Sequence, residues 1–325
     1  MILSVALIGI GNIGYTYDMS VDKKSALSHA KAIYLHDDFE LKYIVDMQDS
    51  YKDKIIDMFP KANFYNNWKD ILDKNIDILV IALPTHLHYS CLNDFKKKDI
   101  KYFIVEKPLF DNSENIDLPK EIEDKIIVNY FRRFEPLLID IKNNISKGIY
   151  GKPIKVLNKY AKGLKHNGSH NIDLMNYFFK DLQIQNVKIL DKINDYSSED
   201  NTYDLFIKVE SQENEFSIFF IGGDETKYSI FEIELIFENT RIKIDDFGRL
   251  LNISYVINDP DYDGYKMLDN KNNSIETNYK FSMLNLYNYI AQMHQDNLKN
   301  ISSFNDENKT SSFLNEIYKE IKCQY

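Results

Sequence analysis

Ile2-Leu-Ser-Val-Ala-Leu-Ile-Gly9-Ile-Gly11-Asn-Ile-Gly14 is the stretch of this 325-residue chain that decides its fold. A short apolar run of this kind is typical of a buried strand, and it leads directly into the pattern Gly-x-Gly-x-x-Gly. In that pattern glycine permits a tight turn and a close approach of the backbone to a pyrophosphate, and the following helix supplies free N–H groups. The residues expected to bind a dinucleotide are Gly9, Gly11, Asn12, Ile13 and Gly14. A glycine-rich turn without a ligand is the alternative.

Strands and helices alternate through the first part of the chain. Helical stretches at Ser25–Leu35, Lys52–Phe59, Asn67–Asp73 and His86–Lys98 separate short apolar runs. This alternation predicts a doubly wound parallel sheet covered on both faces, as in a Rossmann domain. The predicted strands are Ile2–Ile8, Leu41–Val45, Ala62–Tyr65, Ile76–Leu83, Tyr102–Val105 and Ile126–Asn129.

The pattern changes after about residue 150. Runs that alternate apolar and polar residues now follow one another, as in Phe231-Glu-Ile-Glu-Leu-Ile-Phe237. Such runs are typical of an antiparallel sheet with one solvated face. Helices are predicted at Ser169–Phe179, Phe281–Asn300 and Lys309–Lys322, and the polar stretches Asp191–Asn201 and Asp259–Asn278 are predicted to be loops.

The fold class that follows is α/β, with two domains. Residues 1–128 are predicted to form a Rossmann domain with a parallel sheet. Residues 129–325 are predicted to form an α+β domain with a large open-faced, mostly antiparallel sheet, whose last helix can pack back on the first domain. The exposed face of that sheet predicts a homodimer or homotetramer.

Asp46 ends the second predicted strand. A carboxylate at this place can accept hydrogen bonds from both ribose hydroxyls of NAD and would repel the 2′-phosphate of NADP. The interval from Gly14 to Asp46 exceeds the usual distance of about 20 residues, and an insertion at Tyr15–Lys24 accounts for the excess. NAD is therefore the predicted cofactor rather than NADP, with a solvated aspartate at a strand end as the alternative.

Composition excludes several classes of function. The formal net charge is −10, which disfavours binding to nucleic acid or to a membrane surface. No apolar run has the length of about 18 residues that a membrane-spanning helix needs. Two distant cysteines, Cys91 and Cys323, predict neither a metal site nor a disulfide framework and are typical of the reducing cytoplasm.

Several further motifs follow the strands in order. They are Pro84-Thr85-His86-Leu-His88, Glu106-Lys107-Pro108, Asn129-Tyr-Phe-Arg132-Arg133 and Gly168-Ser-His170-Asn-Ile-Asp173. Together with the glycine loop, this series resembles the Gfo/Idh/MocA oxidoreductase family over nearly the whole chain. The resemblance implies an enzyme that oxidises or reduces a sugar or cyclitol hydroxyl with a nicotinamide cofactor.

The resemblance also implies catalytic residues. Lys107 would lie beside the reacting carbon, where its ammonium can polarise the oxygen or share in proton transfer. His170 would be the acid/base, because imidazole changes charge near neutral pH, and Asp173 would contact substrate or orient the site. The alternatives are a surface lysine, a helix-capping histidine and a capping aspartate.

Other residues are expected to contact the ligands. Pro84, Thr85, His88 and Glu106 would join the glycine loop, Asp46 and Lys107 in binding the cofactor, although Thr85 and His88 can instead cap and pack a helix. The residues expected to bind substrate are Tyr130, Arg132, Arg133, His166, Asn167, His170 and Asp173. Arginine is scarce in this chain, so the Arg132-Arg133 pair indicates an anionic substrate, or else salt bridges that tie the two domains together.

The sequence thus predicts an NAD-dependent sugar oxidoreductase, acting on a nucleotide-linked or otherwise anionic sugar in surface-glycan biosynthesis. Inositol dehydrogenases of this family often carry an aspartate four residues before the key histidine, whereas this chain has His166. A cyclitol or free-sugar dehydrogenase is the alternative within the class. A catalytically silent NAD-binding sensor or regulator is the alternative from another class.

Overall fold

The first apolar run forms a strand with every side chain buried, β1 (Leu3–Ile8), at the centre of a parallel sheet. The structure is a computed structural model that describes residues 2–19, 24–110, 116–212, 214–269 and 274–324. Five more strands pair with β1 in the order β3-β2-β1-β4-β5-β6, all parallel. They are β2 (Phe39–Val45), β3 (Asn63–Tyr65), β4 (Ile78–Ile81), β5 (Tyr102–Val105) and β6 (Ile126–Val128).

Helices cover this sheet because each presents an apolar face to it. The apolar residues of the sheet and its helices form two buried clusters. The helices of the first part are α1 (His29–Leu35), α2 (Lys52–Met58), α3 (His88–Phe95) and α4 (Lys120–Glu123). Short 3-10 turns at Thr16–Asp18, Trp68–Ile71, Thr85–Leu87 and Phe131–Phe134 connect them. The strand order confirms the predicted doubly wound sheet, whose ligand crevice lies where the order reverses, between β1 and β4.

A second sheet of nine strands is mixed and mostly antiparallel, as predicted. Its main path is β14-β13-β12-β11-β7-β10-β9-β8, with β15 paired to β13, and only β7 and β10 run parallel. Side chains of β9 and β11 alternate between buried and half-buried, so one face of this sheet is solvated. The strands are β7 (Pro153–Tyr160), β8 (Gln183–Ser197), β9 (Asp200–Ser211), β10 (Asn214–Gly222), β11 (Phe231–Phe237), β12 (Thr240–Asp245), β13 (Leu250–Asn258), β14 (Lys266–Leu268) and β15 (Ser274–Glu276).

Four further helices complete the chain. They are α5 (Pro136–Ser146), α6 (Ser169–Phe178), α7 (Ser282–Asp296) and α8 (Phe304–Gln324), and a π-helical turn at Gly163–Gly168 precedes α6. Nine of the ten residues of α6 are buried. None of the helices within the described ranges combines the length and the apolarity needed to cross a bilayer.

The chain divides into two compact units, and the division differs from the predicted boundary. The first unit is Met1–Phe134 with Lys280–Glu307, and the second is Glu135–Tyr279 with Asn308–Tyr325. The predicted second domain comprised everything after residue 128, but α7 belongs to the first unit. Its apolar side chains, such as Leu286 and Ile290, are completely buried in a cluster that contains Leu3 and Ile33.

A second correction concerns the polar stretch Asp191–Asn201, predicted to be a loop. It forms the end of β8, a tight turn and the start of β9. Asp200, the first residue of β9, is 8% exposed, and Asp195 is 7% exposed. Their burial is possible because each carboxylate accepts several hydrogen bonds. Buried polar groups of this kind are satisfied by partners far away in sequence, which a local pattern does not reveal.

Candidate functional site

The glycine loop follows β1 and turns under the end of β4. Gly9 has φ of +96°, and a Cβ there would collide with the carbonyl oxygen of Ala82. A Cβ on Gly14 would collide with the carbonyl oxygen of Gly9. A Cβ on Gly11, in contrast, would meet nothing within 4 Å. Gly9 and Gly14 are therefore required by the fold, whereas Gly11 leaves open space for a ligand, which fits a dinucleotide.

The helix after the loop is interrupted by an insertion. The N–H of Tyr15 donates to the carbonyl of Gly11, forming a first turn, and the chain then leaves the helix. It returns where the N–H groups of His29 and Ala30 donate to the carbonyls of Ile13 and Gly14, both at 2.9 Å. In an uninterrupted helix those carbonyls would accept from residues 17 and 18, so 12 residues are looped out. Without them, the interval of 32 residues from Gly14 to Asp46 falls to the usual 20.

The insertion carries its own cap for α1. The carboxylate of Asp18 accepts from the N–H of Leu27 at 3.0 Å, from the N–H of Ser28 at 2.7 Å and from the Ser28 hydroxyl at 2.6 Å. Ser28 in turn is the N-cap of α1 and accepts from the N–H of Lys31. A carboxylate at a helix N-terminus is favoured by the free N–H groups there. Residues 20–23, within the predicted insertion, lie outside the described part of the chain.

Asp46 lies at the end of β2 and supports the glycine loop. Its Oδ2 accepts from the N–H of Ile10 at 2.9 Å, and its Oδ1 accepts from the N–H of Gln48 at 2.8 Å. Both oxygens keep a further lone pair, since each makes one of these bonds. The carboxylate can therefore hold the loop and still accept from ribose hydroxyls, which fits NAD.

The three residues after β4 that were predicted to bind the cofactor differ in how far they are exposed. Pro84 is exposed and Thr85 is half-buried at the start of a 3-10 turn. His88 is completely buried, and its Nδ1 and Nε2 lie 3.0 and 2.8 Å from the carbonyl oxygens of Leu109 and Leu83. The ring thus ties the segment after β4 to the segment after β5, which favours the alternative that His88 packs the helix.

Glu106-Lys107-Pro108 follows β5, and the Lys107–Pro108 peptide is cis. The Lys107 side chain is half-buried. Oε1 of Glu106 accepts from the side-chain amide of Asn129 and lies 3.0 Å from Nε2 of His29. The carboxylate beside Lys107 is thus held by two side chains that come from α1 and from the end of β6.

The residues after β6 are buried, and this changes their expected roles. Arg133 is only 1% exposed, and its Nη1 donates to the carbonyl of Ile301 at 2.8 Å and lies 3.3 Å from a carboxylate oxygen of Asp306. Tyr130 is 2% exposed within an apolar cluster. Arg133 thus forms a salt bridge, but within the first unit and not between the two domains as the alternative supposed, and substrate binding by Tyr130 and Arg133 stays a prediction. The guanidinium of Arg132 packs on the ring of Phe131 at 4.7 Å.

In the second unit, the π-helical turn Gly163–Gly168 carries His166 and Asn167. The turn begins with Lys162 at φ of 71° and Gly163 at φ of 78°, and a Cβ on Gly163 would collide with the carboxylate of Asp200. Oδ1 of Asp200 accepts from the N–H of Lys165 and Oδ2 from the N–H of His166, each at 2.8 Å. π-helical turns are rare and are frequent at functional sites.

Two more groups fix the same turn. Oδ2 of Asp195 accepts from the N–H of Lys162 at 2.8 Å. The hydroxyl of Tyr318, in α8, donates to Asp200 at 3.1 Å. Burial raises the pKa of Tyr318, and the charge of Asp200 adds to the effect, so this hydroxyl keeps its proton. The exposed ring of His166 stacks on Tyr196, with centroids 4.7 Å apart.

His170 and Asp173 both lie on α6, three residues apart, which places them on a similar face of the helix. His170 is 8% exposed and Asp173 is 1% exposed. Oδ1 of Asp173 accepts from the Thr310 hydroxyl of α8 at 3.4 Å. Because Asp173 is the more deeply buried of the two, its burial favours the orienting role over contact with a substrate, and both roles stay predictions.

Sequence reasoning missed His29, Tyr287, Asp195 and Asp200. His29 had no clear signal, because the helix was predicted to begin at Ser25 and its true start at His29 appears only in the structure. Asp195 and Asp200 had none, since they fell in a stretch that was predicted to be a loop.

Comparison with known proteins adds the family. The profile of the Gfo/Idh/MocA oxidoreductase family, NAD-binding Rossmann fold, matches residues 3–128. Over these residues the match confirms the resemblance to this family, the Rossmann fold and NAD as the cofactor, which were predicted from the sequence. No curated protein sequence matches the chain.

Solved structures extend the fold likeness to the whole chain. Levoglucosan dehydrogenase in complex with NADH and levoglucosan has a TM-score of 0.76 and 15% identity, covering 100% of this chain and 98% of its own. WlbA dehydrogenase from Bordetella pertussis, in complex with NADH and UDP-GlcNAcA, has a TM-score of 0.72 and 15% identity, covering 100% and 96%. A super-repressor mutant of Gal80p from Saccharomyces cerevisiae has a TM-score of 0.71 and 15% identity, covering 98% and 95%. At such identity the likeness shows the fold alone.

Proposed function

We propose that this oxidoreductase transfers a hydride between NAD and a hydroxyl or carbonyl of an anionic sugar, such as a nucleotide-linked sugar of surface-glycan biosynthesis. The observation that carries the proposal is Lys107, held half-buried at the end of β5 beside a carboxylate that two buried side chains fix. Support for a sugar comes from the family of residues 3–128 and from the sugar ligands of WlbA and levoglucosan dehydrogenase.

The cofactor would be held by Gly11 and Asp46, with Thr85, Pro84 and Glu106 along the ends of the neighbouring strands. When bound, its nicotinamide accepts or supplies the hydride. Gly11 permits a close approach of the phosphates to the backbone, and Asp46 accepts from ribose hydroxyls and repels a 2′-phosphate. The proposal therefore includes a preference for NAD over NADP.

In this proposal His170 and Lys107 handle the proton and the negative charge that the reaction produces. Oxidation of a secondary alcohol releases a proton together with the hydride. His170 would accept that proton, while the ammonium of Lys107 stabilises the developing negative oxygen. Asp173, buried one turn further along α6, would orient His170.

The acidic character of the substrate is supported by the π-helical turn. Lys162 precedes this turn and Lys165 belongs to it, and their ammonium groups can pair with a carboxylate or phosphate of the substrate. Lys162 also lies 3.8 Å from Glu225, so part of its charge is balanced within the protein. Of the two adjacent arginines, we propose Arg132 as the substrate contact, because Arg133 forms an ion pair with Asp306.

The test is turnover with NAD on a panel containing UDP-GlcNAcA, levoglucosan, a free uronate and myo-inositol, with wild type, Lys107→Ala and Lys97→Ala. Lys97, an exposed lysine of the same unit, is the matched control. We expect turnover of an acidic sugar, lost by at least about 100-fold in Lys107→Ala with NADH binding retained, and unchanged in Lys97→Ala. Normal turnover by Lys107→Ala contradicts the role of Lys107. Tight NADH binding without turnover of any panel member identifies a sensor instead.

A further inference from the structure

A buried chain of hydrogen bonds ends at the carboxylate of Glu106. The hydroxyl of Tyr287, in α7, lies 3.0 Å from Nδ1 of His29, and Nε2 of His29 lies 3.0 Å from Oε1 of Glu106. The side-chain amide of Asn129 donates to the same Oε1. His29 and Tyr287 are 0% exposed and Asn129 is 1% exposed, so this chain is shielded from water. All four residues belong to the first unit.

The direction of these hydrogen bonds follows from the chemistry of the groups. An ionised carboxylate only accepts, so Nε2 of His29 carries the proton that it shares with Glu106. In a neutral ring Nδ1 then accepts, and the Tyr287 hydroxyl donates to it. Burial, with the charge of Glu106 adding to it, raises the pKa of Tyr287 well above its ordinary value, so the hydroxyl keeps the proton that it donates. Glu106 therefore selects the tautomer of His29, and the Tyr287 hydroxyl supplies a donor that matches it.

The two donors leave one edge of the carboxylate available. Both hydrogen bonds found for the Glu106 side chain within the described ranges end on Oε1. The Glu106 side chain is 13% exposed, whereas the His29 side chain is 0% exposed. Oε1 is thus anchored inside the unit, and Oε2 is the oxygen that remains to accept a hydrogen bond from outside it.

His29 also contacts the glycine loop through its backbone. Its N–H donates to the carbonyl of Ile13 at 2.9 Å. The residues before it are clamped by Asp18 of the insertion. His29 therefore contacts the loop after β1 through its main chain and the carboxylate of Glu106, after β5, through its ring.

We propose that His29 is a positioning residue for the dinucleotide: with Asn129, it holds Glu106 so that Oε2 accepts a hydroxyl or amide donor of the bound cofactor. The inference rests on the proposed function in one respect, the assignment of Glu106 to the cofactor. It adds His29, Asn129 and Tyr287, none of which touches the cofactor, and it makes cofactor affinity depend on a buried histidine.

The experiment measures NADH affinity by fluorescence titration, together with the midpoint of thermal unfolding, in the full-length protein. We expect His29→Leu, which has a similar volume and no donor, to weaken NADH binding about 10-fold, the effect of losing a hydrogen bond to a charged group. His29→Gln retains a side-chain N–H and should recover most of the affinity. His36→Gln is the matched control, because His36 ends the same helix and does not contact Glu106, and it should bind NADH as the wild type does.

A double-mutant cycle separates positioning from general stability. In a Glu106→Gln background, His29→Leu should weaken NADH binding by less than about 3-fold, because the two residues act through one contact. Equal losses in both backgrounds would overturn the proposal, as would wild-type affinity in a well-folded His29→Leu protein. If His29→Leu does not fold, Tyr287→Phe, which removes only the hydroxyl, takes its place in the cycle. None of these measurements needs a sugar substrate, so a failure of the proposed reaction would leave their outcome unaffected.

Discussion

At the scale of single residues, the three glycines of the nucleotide loop have different physical reasons to be glycine. Gly9 needs a positive φ and the absence of a Cβ against Ala82. Gly14 needs only the absence of a Cβ. Gly11 has neither constraint, because its surroundings are open. Its lack of a side chain therefore serves the ligand and not the fold.

This difference predicts opposite outcomes for two similar substitutions. Gly11→Ala should leave the unfolding midpoint within about 2 °C of the wild type and weaken NADH binding about 10-fold or more, because the added methyl occupies the space of the phosphates. Gly9→Ala should lower the stability by at least about 2 kcal/mol, because it combines backbone strain with a collision. Differential scanning calorimetry and an NADH titration on both variants check this. Unaltered NADH binding by Gly11→Ala would place the phosphates elsewhere.

The residues of the nucleotide loop could be predicted from the sequence because the features that identify them are close together in the chain. Gly9 to Gly14 and Asp46 stand next to strands whose apolar runs can be recognised without a structure. Arg133 was not predictable in this way. Its partners, Ile301 and Asp306, lie about 170 positions away, and only the folded chain shows that its charge is used internally.

At the scale of elements, the 3-10 turn Phe131–Phe134 is joined to the start of α8 by an ion pair. Arg133 and Asp306 meet at 3.3 Å, and the hydroxyl of Ser303 donates to Asp306 at 2.6 Å. Burial acts to raise the pKa of Asp306, but the Arg133 guanidinium and the Ser303 donors outweigh it and hold the pKa below its ordinary value. The pair thus stabilises the contact between two elements that are distant in sequence.

The lowered pKa gives a pH dependence with a definite sign. Because the folded state holds the Asp306 proton less tightly than the unfolded state, the stabilisation is complete above the ordinary carboxyl pKa and is lost as the pH falls through the lower folded value. Asp306→Asn should therefore be about 2 kcal/mol less stable than wild type at pH 7, with the difference shrinking below about pH 4. Urea unfolding at several pH values measures this. A difference that stays constant with pH would show that the ionised carboxylate is not responsible.

Elements differed in how well the sequence predicted them. The six strands of the parallel sheet lie within a few residues of their predicted ranges, because each is an apolar run bounded by polar residues. The hairpin of β8 and β9 was missed at its polar tip, and so was the π-helical turn. These two segments depend on the carboxylates of Asp195 and Asp200 for their hydrogen bonds, and such pairings have no periodic signature.

At the scale of the whole molecule, the chain passes from one unit to the other three times. The breaks fall after Phe134, after Tyr279 and after Glu307. The first unit is therefore discontinuous in sequence. All strands of the second sheet precede α7 along the chain, although α7 belongs to the first unit. Four side chains of α7, Met283, Leu286, Tyr287 and Ile290, are at most 1% exposed.

This topology predicts that residues 1–134 do not form a stable domain by themselves. Burial of those four side chains contributes roughly 8 kcal/mol at about 2 kcal/mol each, which is comparable with the entire stability of an ordinary domain. Residues 1–134 joined by a flexible linker to residues 280–307 should unfold cooperatively, whereas residues 1–134 alone should not. Circular dichroism during heating distinguishes the two, and a cooperative transition in the shorter fragment would contradict the prediction.

The looped-out segment after the glycine loop has a consequence for protein engineering. Because the carbonyls of Ile13 and Gly14 bond to the N–H groups of His29 and Ala30, the two ends of the excursion are neighbours in space. A fluorescent reporter whose own termini are adjacent can be grafted between them without altering the path of the helix. Its anchor points would then lie beside the glycine loop and next to His29, so we expect its emission to change when a nucleotide binds.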